Sequence, residues 1–198
     1  MIIGFDLDDV IVDTSSFFRK YILDREGYDI GESREEYYIK IPGKTDEYAD
    51  NLVKDIYCNI EQASPVKDAI KSVKKIYDLT KEKVVFITAR HTSGWITDGS
   101  NLKDKTYDWL NKYIKGSDKF PWEVIFSSGR PKSEVLPDNL KYFVEDMPFF
   151  ANDVSKKVET VFLIDKGWNR STMFHSNVIR VKNINTVYLF LEKTLKYQ

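Results

Sequence analysis

Six short runs of this chain are apolar at nearly every position: Ile2 to Phe5, Val84 to Ile87, Val124 to Phe126, Tyr142 to Val144, Val161 to Ile164 and Val178 to Val181. Runs of that length, rich in β-branched and aromatic residues, are those of strands buried on both faces. Between most of them the apolar residues recur at helical spacing. Val66, Ala69, Ile70, Val73, Ile76 and Tyr77 share one face, with Lys71, Lys74 and Lys75 on the solvated side. Leu102, Leu110, Tyr113 and Ile114 mark another helix, and Ile184, Val187, Tyr188, Leu191 and Leu195 a C-terminal one. This alternation predicts an α/β protein with a doubly wound parallel sheet, covered on both sides.

One region interrupts the pattern. From Thr14 to Ser64 no strand is legible, but two helical patterns are: Phe17, Phe18, Tyr21 and Ile22, then Tyr48, Leu52, Val53, Ile56, Tyr57 and Ile60. The stretches "GYDIGES" and "KIPGKT" punctuate them as loops. A helical insertion directly after the first strand sits above the C-terminal edge of the sheet, where open α/β folds bind ligands. The expected organisation is therefore a core of residues 1–13 and 65–198 with a helical cap, 14–64, acting as a lid.

Composition narrows the field. The chain has 198 residues, 42 % hydrophobic and 31 % charged, which is a globular and not a disordered balance. Lys plus Arg (30) nearly cancels Asp plus Glu (31), which argues against a nucleic-acid polymer as partner. Cys58 is the only cysteine, so neither an intrachain disulfide nor a cysteine-cluster metal site is expected. The first apolar run is too short and too acidic at its end for a secretory leader, and no apolar stretch has membrane-spanning length. A cytoplasmic location with no membrane partner is the expectation. Oligomeric state stays open, a homodimer included.

The chemistry concentrates at strand ends. In "GFDLDDV" the first strand runs into Asp6, Asp8 and Asp9, with Asp13 close behind. Crowded carboxylates raise one another's pKa unless positive charge lies among them. Mg²⁺ suits such a site, since it takes hard oxygen ligands and often uses one or two carboxylates with a substrate phosphate. Asp13, just ahead of "TSSFF", reads as a helix N-cap. "VVFITAR" ends in Thr88, Ala89 and Arg90: a hydroxyl, free backbone N–H groups and a cation, suited to phosphate oxygens. "SSGRPKSEV" supplies Lys132, and "YFVEDMP" adds the acidic pair Glu145 and Asp146.

These four motifs, "DLDDV", "ITAR", "RPKSE" and "VEDMP", in this order resemble those of the haloacid dehalogenase superfamily of phosphohydrolases. "DLDDVIVDT", the "TAR" form of the second motif and the late "FLIDKGWNR" are similar to the bacterial members of its 5′(3′)-deoxyribonucleotidase branch. The resemblance implies that Asp6 is the nucleophile and that Asp8 is general acid and then base. It implies that Thr88, Ala89, Arg90 and Lys132 border the substrate phosphate. Mg²⁺ would be held by Asp6, the backbone carbonyl of Asp8 and Asp146, with Glu145 contributing directly or through water. The implied substrate is a small phosphomonoester, a nucleoside monophosphate by branch. The retained Asp8 favours phosphate esters over halides, because a halide leaves unprotonated. Two departures stand out: Asp9 occupies a position that is often glycine, and the late pair is Glu–Asp where two aspartates are usual. Trp168 and Asn169 are expected to pin a loop near the sheet edge. The alternatives are the same chemistry on a sugar phosphate, and a receiver-like phosphoacceptor module that signals without turnover.

Overall fold

The computed structural model describes residues 2–31, 39–92, 101–115, 119–170 and 172–196. Of the loop "GYDIGES", residues 32 and 33 lie outside them. Six strands form one sheet in the order β3-β2-β1-β4-β5-β6: β1 (Ile2–Phe5), β2 (Val84–Thr88), β3 (Trp122–Phe126), β4 (Leu140–Glu145), β5 (Thr160–Ile164) and β6 (Val178–Val181). Every adjacent pair is parallel. The helices are α1 (Thr14–Glu26), α2 (Asp46–Tyr57), α3 (Ala69–Thr80), α4 (Leu102–Tyr113), α5 (Pro148–Val154) and α6 (Ile184–Lys196).

Residues alternate between two apolar layers, as a two-residue strand period requires. Ile3, Phe5, Val84, Phe86, Val144 and Phe162 point to the layer built with α3, α4 and α6. Val85, Ile87, Leu140, Phe143, Val161 and Leu163 point to a smaller layer in which Ala151 and Val154 of α5 pack. The doubly wound α/β reading holds, with two differences. The outermost strands are not sealed on both faces: β3 is half-buried throughout, and Ile179 and Arg180 of β6 are exposed. And the described residues that join β3 to β4 and β5 to β6 hold only single 3-10 turns, Lys132–Glu134 and Gly167–Asn169.

The excursion after β1 leaves and returns through one narrow ladder. Asp13 N–H donates to Ser64 O (2.8 Å) and Val66 N–H to Ile11 O (2.8 Å). Within it, α1 starts at the N-cap Asp13, whose carboxylate accepts from Ser16 N–H, and stops at left-handed Gly27. The α2 helix starts at Thr45, with Asp46 and Glu47 favourably placed in its first turn. Phe18, Ile22, Ile41, Leu52 and Ile56 form a third apolar cluster between these helices. Lower down, the buried Trp109 of α4 donates from Nε1 to Ala63 O (2.7 Å), tying the returning segment to the core. Among the described residues no helix is long and apolar enough to cross a membrane.

Gly4 shows how tightly the thinner layer is packed. A Cβ there would meet Phe143 Cδ2 at 2.8 Å and Leu140 Cδ1 at 3.3 Å. Overpacking of this kind typically costs about 1–3 kcal/mol. Gly4→Ala is therefore expected to lower the thermal midpoint by several degrees, at about 2–4 °C per kcal/mol for this size, as read by calorimetry. An unchanged midpoint would contradict this packing.

Candidate active site

β1 lies at the centre of the sheet, between β2 and β4, and the chain reverses direction of winding there. Such a switch point leaves a crevice beyond the carboxyl ends of the strands. Asp6 follows β1 and is held against β4 by its N–H donating to Val144 O (2.9 Å); β4 itself ends in Glu145, with Asp146 next. Above them lies a cavity of about 720 Å³, lined from the sheet side by Asp6, Asp8 and Asp146 and from the helical side by Phe18, Val53 and Tyr57.

Lys132 is 0 % exposed, and its ammonium bridges Asp6 Oδ1 (2.8 Å) and Glu145 Oε2 (2.7 Å). Burial alone lowers a lysine pKa, but the attraction of Asp6 and Glu145 outweighs it here and the net shift is upward, so the ammonium stays charged. The other oxygen of Glu145, Oε1, accepts from the N–H groups of Asp146 (3.0 Å) and Met147 (3.1 Å). Glu145 thus braces the lysine and the loop behind it. Asp146, by contrast, lines the cavity, and its carboxylate has no hydrogen-bond or ion-pair partner among the described residues.

Asp8 is gripped from two sides. Arg90 donates in a fork, Nε to Oδ2 (3.0 Å) and Nη2 to Oδ1 (2.7 Å), and the Thr14 hydroxyl donates to Oδ1 (2.6 Å). Burial pushes the Asp8 pKa up, but Arg90, in charge and hydrogen bonds, and Thr14 more than reverse it, leaving it below the ordinary carboxylate value. The third guanidinium nitrogen, Nη1, donates to Thr106 (3.0 Å), and the guanidinium sits over the Tyr57 ring (5.8 Å). Every nitrogen of the Arg90 fork is therefore engaged by protein. Thr88 is fully buried, and its hydroxyl accepts from Arg90 N–H (3.2 Å).

Asp9 has φ 57, in the left-handed region where glycine is favoured and Asp and Asn are the tolerated substitutes. Its carboxylate accepts from Ser15 N–H (2.8 Å) and the Ser15 hydroxyl (2.6 Å). The side chain thus performs a task in the first turn of α1 that glycine cannot.

The charges do not balance by themselves. Among the described residues at the strand ends, Asp6, Asp8, Asp9, Glu145 and Asp146 supply five carboxylates, against three cations in Arg90, Lys132 and, further out, Lys166; on the helical side the cavity adds Lys40, Asp46 and Asp50. Burial, then Glu145, raise the Asp6 pKa well above its ordinary value, with Lys132 opposing. Burial, then Glu145, Asp9 and Asp6, do the same to Asp146. Asp6, Glu145 and Asp146 offer oxygens that all lie within 4.8 Å of one another. An all-oxygen set with more carboxylates than cations around it fits a hard divalent cation. Since both oxygens of Glu145 are already engaged by Lys132 and by backbone N–H groups, Asp6 and Asp146 are the carboxylates most open to such an ion.

The structure thus gathers every residue singled out by motif around one crevice, but not in equal contact with it. Asp6, Asp8, Ala89, Arg90 and Asp146 line the cavity; Thr88, Lys132 and Glu145 lie beneath its surface. The motif reading missed Thr14 as the partner of Asp8, although a hydroxyl at the first turn of the helix after the acidic cluster was the available signal. Of the aromatics of α1, Phe18 lines the cavity, while Phe17 and Tyr21 line a separate groove with Asn59 and Gln62.

No protein-family model and no curated protein sequence matches this chain. Solved structures do. The HAD-type hydrolase YfnB of Bacillus subtilis, solved with bound magnesium, is similar with a TM-score of 0.60 and 10 % identity, over 96 % of this chain and 98 % of that one. A Thermotoga maritima protein described as a β-phosphoglucomutase gives 0.56 and 11 %, over 98 % and 99 %. The L-2-haloacid dehalogenase of Xanthobacter autotrophicus gives 0.57 and 10 %, over 97 % and 99 %. At these identities the likeness establishes a shared fold, the haloacid dehalogenase-like α/β fold.

The raised pKa values fix the sign of a pH and metal prediction. For Asp6 and Asp146 the folded pKa exceeds the unfolded value, so ionising them costs stability. That cost begins as pH rises past the ordinary aspartate value of 3.8 and is complete above the raised folded pKa. Asp146→Asn removes one such charge. In chelator near neutral pH the variant is expected to melt higher than wild type, and added Mg²⁺ to raise the wild-type midpoint but not that of the variant. Differential scanning fluorimetry reads both; a variant less stable than wild type in chelator would contradict this account.

Proposed function

We propose that the protein is a Mg²⁺-dependent phosphomonoesterase that hydrolyses nucleoside monophosphates through an aspartyl-phosphate on Asp6. The observation that carries this reading is Asp6 itself: a carboxylate lining a cavity, paired to a fully buried lysine, and grouped with the carboxylate of Asp146, which has no partner among the described residues. In this reading Asp6 attacks phosphorus, the ester P–O bond breaks, and Asp8 delivers a proton to the departing alkoxide. Asp8 then takes a proton from water, whose oxygen displaces Asp6 from phosphorus and regenerates the site.

The Arg90 fork keeps Asp8 ionised when the site holds no substrate, which suits the second, base-catalysed half. A phosphate dianion beside it raises its pKa by like-charge repulsion and so favours the protonated acid of the first half. Lys132 and Thr88 support the phosphoryl oxygens from beneath, with Ala89 and Arg90 bordering them. Bound between Asp6, Asp146 and the Asp8 carbonyl, Mg²⁺ would neutralise charge that spreads over those oxygens in the transition state. Asp8 also separates this reading from dehalogenation, which needs no acid for its leaving halide.

Two features favour a nucleoside as leaving group. Phe18, Val53, Tyr57, Met147, Phe149 and Phe150 make much of the cavity wall hydrocarbon, and Phe149 keeps 71 % of its surface exposed there. A flat base covers such a surface, whereas sugar hydroxyls facing it would lose hydrogen bonds to water. We assign residues 14–64 as the lid over this cavity and 1–13 with 65–198 as the catalytic core.

The test is a phosphatase screen with Mg²⁺ and with chelator, comparing nucleoside monophosphates with sugar phosphates. Turnover is expected for nucleotides, lost in chelator, and reduced at least about a thousandfold in Asp6→Asn. Undiminished turnover by that variant, or none by wild type on any ester, would end the hydrolase reading. A preference for sugar phosphates would retain the chemistry and reject the nucleoside.

A further inference from the structure

We propose that Asn169 is a positioning residue for the cation site, which extends the reading of Asp6 and Asp146 as cation ligands. Asn169 is fully buried in the 3-10 turn after β5, and its side chain makes four kinds of contact. Its amide nitrogen donates to Asp146 O (2.8 Å), 23 residues away, and to Ile164 O (2.7 Å) at the end of β5. Its amide oxygen accepts from Lys166 N–H (3.3 Å) and from Nη1 of Arg180 in β6. Arg180 also reaches Asn169 O through Nη2 (2.7 Å) and Asp165 through Nη1 (3.0 Å).

One side chain therefore joins the carboxyl ends of β4 and β5 to a residue of β6, and the bond to β4 falls on the backbone of the residue whose carboxylate faces the cavity unpartnered. Among the described residues nothing bonded to the Asp146 carboxylate holds it in place. Its direction is set by its backbone, which is fixed on one side by Glu145 Oε1 at the N–H and on the other by Asn169 at the carbonyl. Only a side chain that both donates twice and accepts twice can make this set of bonds, and among neutral side chains the amide of Asn or Gln does so from one plane. Glutamine carries one methylene more into a site that is fully buried.

Partners that orient a metal ligand are commonly worth 10–100-fold in metal affinity. Asn169→Asp keeps the shape and both acceptor contacts but cannot donate to the two carbonyls. The expected result is a divalent-cation dissociation constant weakened at least about tenfold in Asn169→Asp, measured by titration calorimetry with Mn²⁺ on protein shown to be folded by circular dichroism. Trp109→Phe serves as a control: it deletes a buried hydrogen bond to Ala63 that involves no residue of the acidic cluster and should leave Mn²⁺ affinity unchanged. An Asn169→Asp protein that is folded and binds Mn²⁺ as wild type does overturns the proposal, whatever its stability. Should that variant fail to fold, Arg180→Gln decides. Arg180 is partly exposed, and its loss frees one acceptor contact of Asn169. A several-fold weaker Mn²⁺ affinity supports positioning, and wild-type affinity rejects it. Wild-type protein that binds no Mn²⁺, or binds it equally well as Asp146→Asn, defeats the cation reading first and this proposal with it, and is told apart because the failure appears without any change at Asn169.

Discussion

A lysine with no access to solvent is tenable only where its charge is met, and Lys132 meets two carboxylates within 2.8 Å. Much of the crevice is arranged around that ammonium. It allows Asp6 to sit at the end of the central strand and Glu145 at the end of its neighbour without driving the two apart. It also leaves Glu145 with one oxygen free to fasten the loop that carries Asp146. Removing one member of such a buried set strands the others, at a typical cost of about 3–5 kcal/mol, which is why the lysine and both acids form a unit.

The arginine forms a second unit, set apart from the first. Arg90 belongs to the Asp8 side, with Thr14, Thr106 and the face of Tyr57, and the lysine belongs to the Asp6 side. Two aspartates only two residues apart are thereby given opposite electrostatic surroundings. One is pushed up by burial and by neighbouring acids, the other pulled down by a bidentate cation. Separating the pKa values of paired carboxylates in this way is what the proposed division into nucleophile and proton carrier requires.

The strands were legible because β-branched and aromatic runs have few other uses, and three of the four motifs were legible because each falls at a strand end, while Lys132 lies in the 3-10 turn between β3 and β4. What could not be read followed from contacts between distant positions. Arg90 and Asp8 are 82 residues apart, and nothing local distinguishes an arginine aimed at a ligand from one closing on a carboxylate. Glu145 and Asp146 are equivalent as letters; only the backbone turn after β4 sends one toward Lys132 and the other into the cavity. The short α5 has too few turns to show a period, and the 3-10 crossovers have none. Asp9 looked anomalous because its backbone angle and its bond to Ser15 are both invisible in sequence.

The opening acidic stretch has one more property. Asp8 holds Thr14, Asp9 holds Ser15 and Asp13 holds Ser16, so three consecutive residues of one helical turn are each anchored to a different carboxylate. Attachment at three points, unlike attachment at one, fixes an orientation as well as a position. The α1 helix consequently behaves as a lever with a clamped end: it cannot pivot about its first turn without lengthening at least one of those bonds. The oxygen that Thr14 grips is also held by Arg90, so any swing of the helix is transmitted to the Asp8 carboxylate itself.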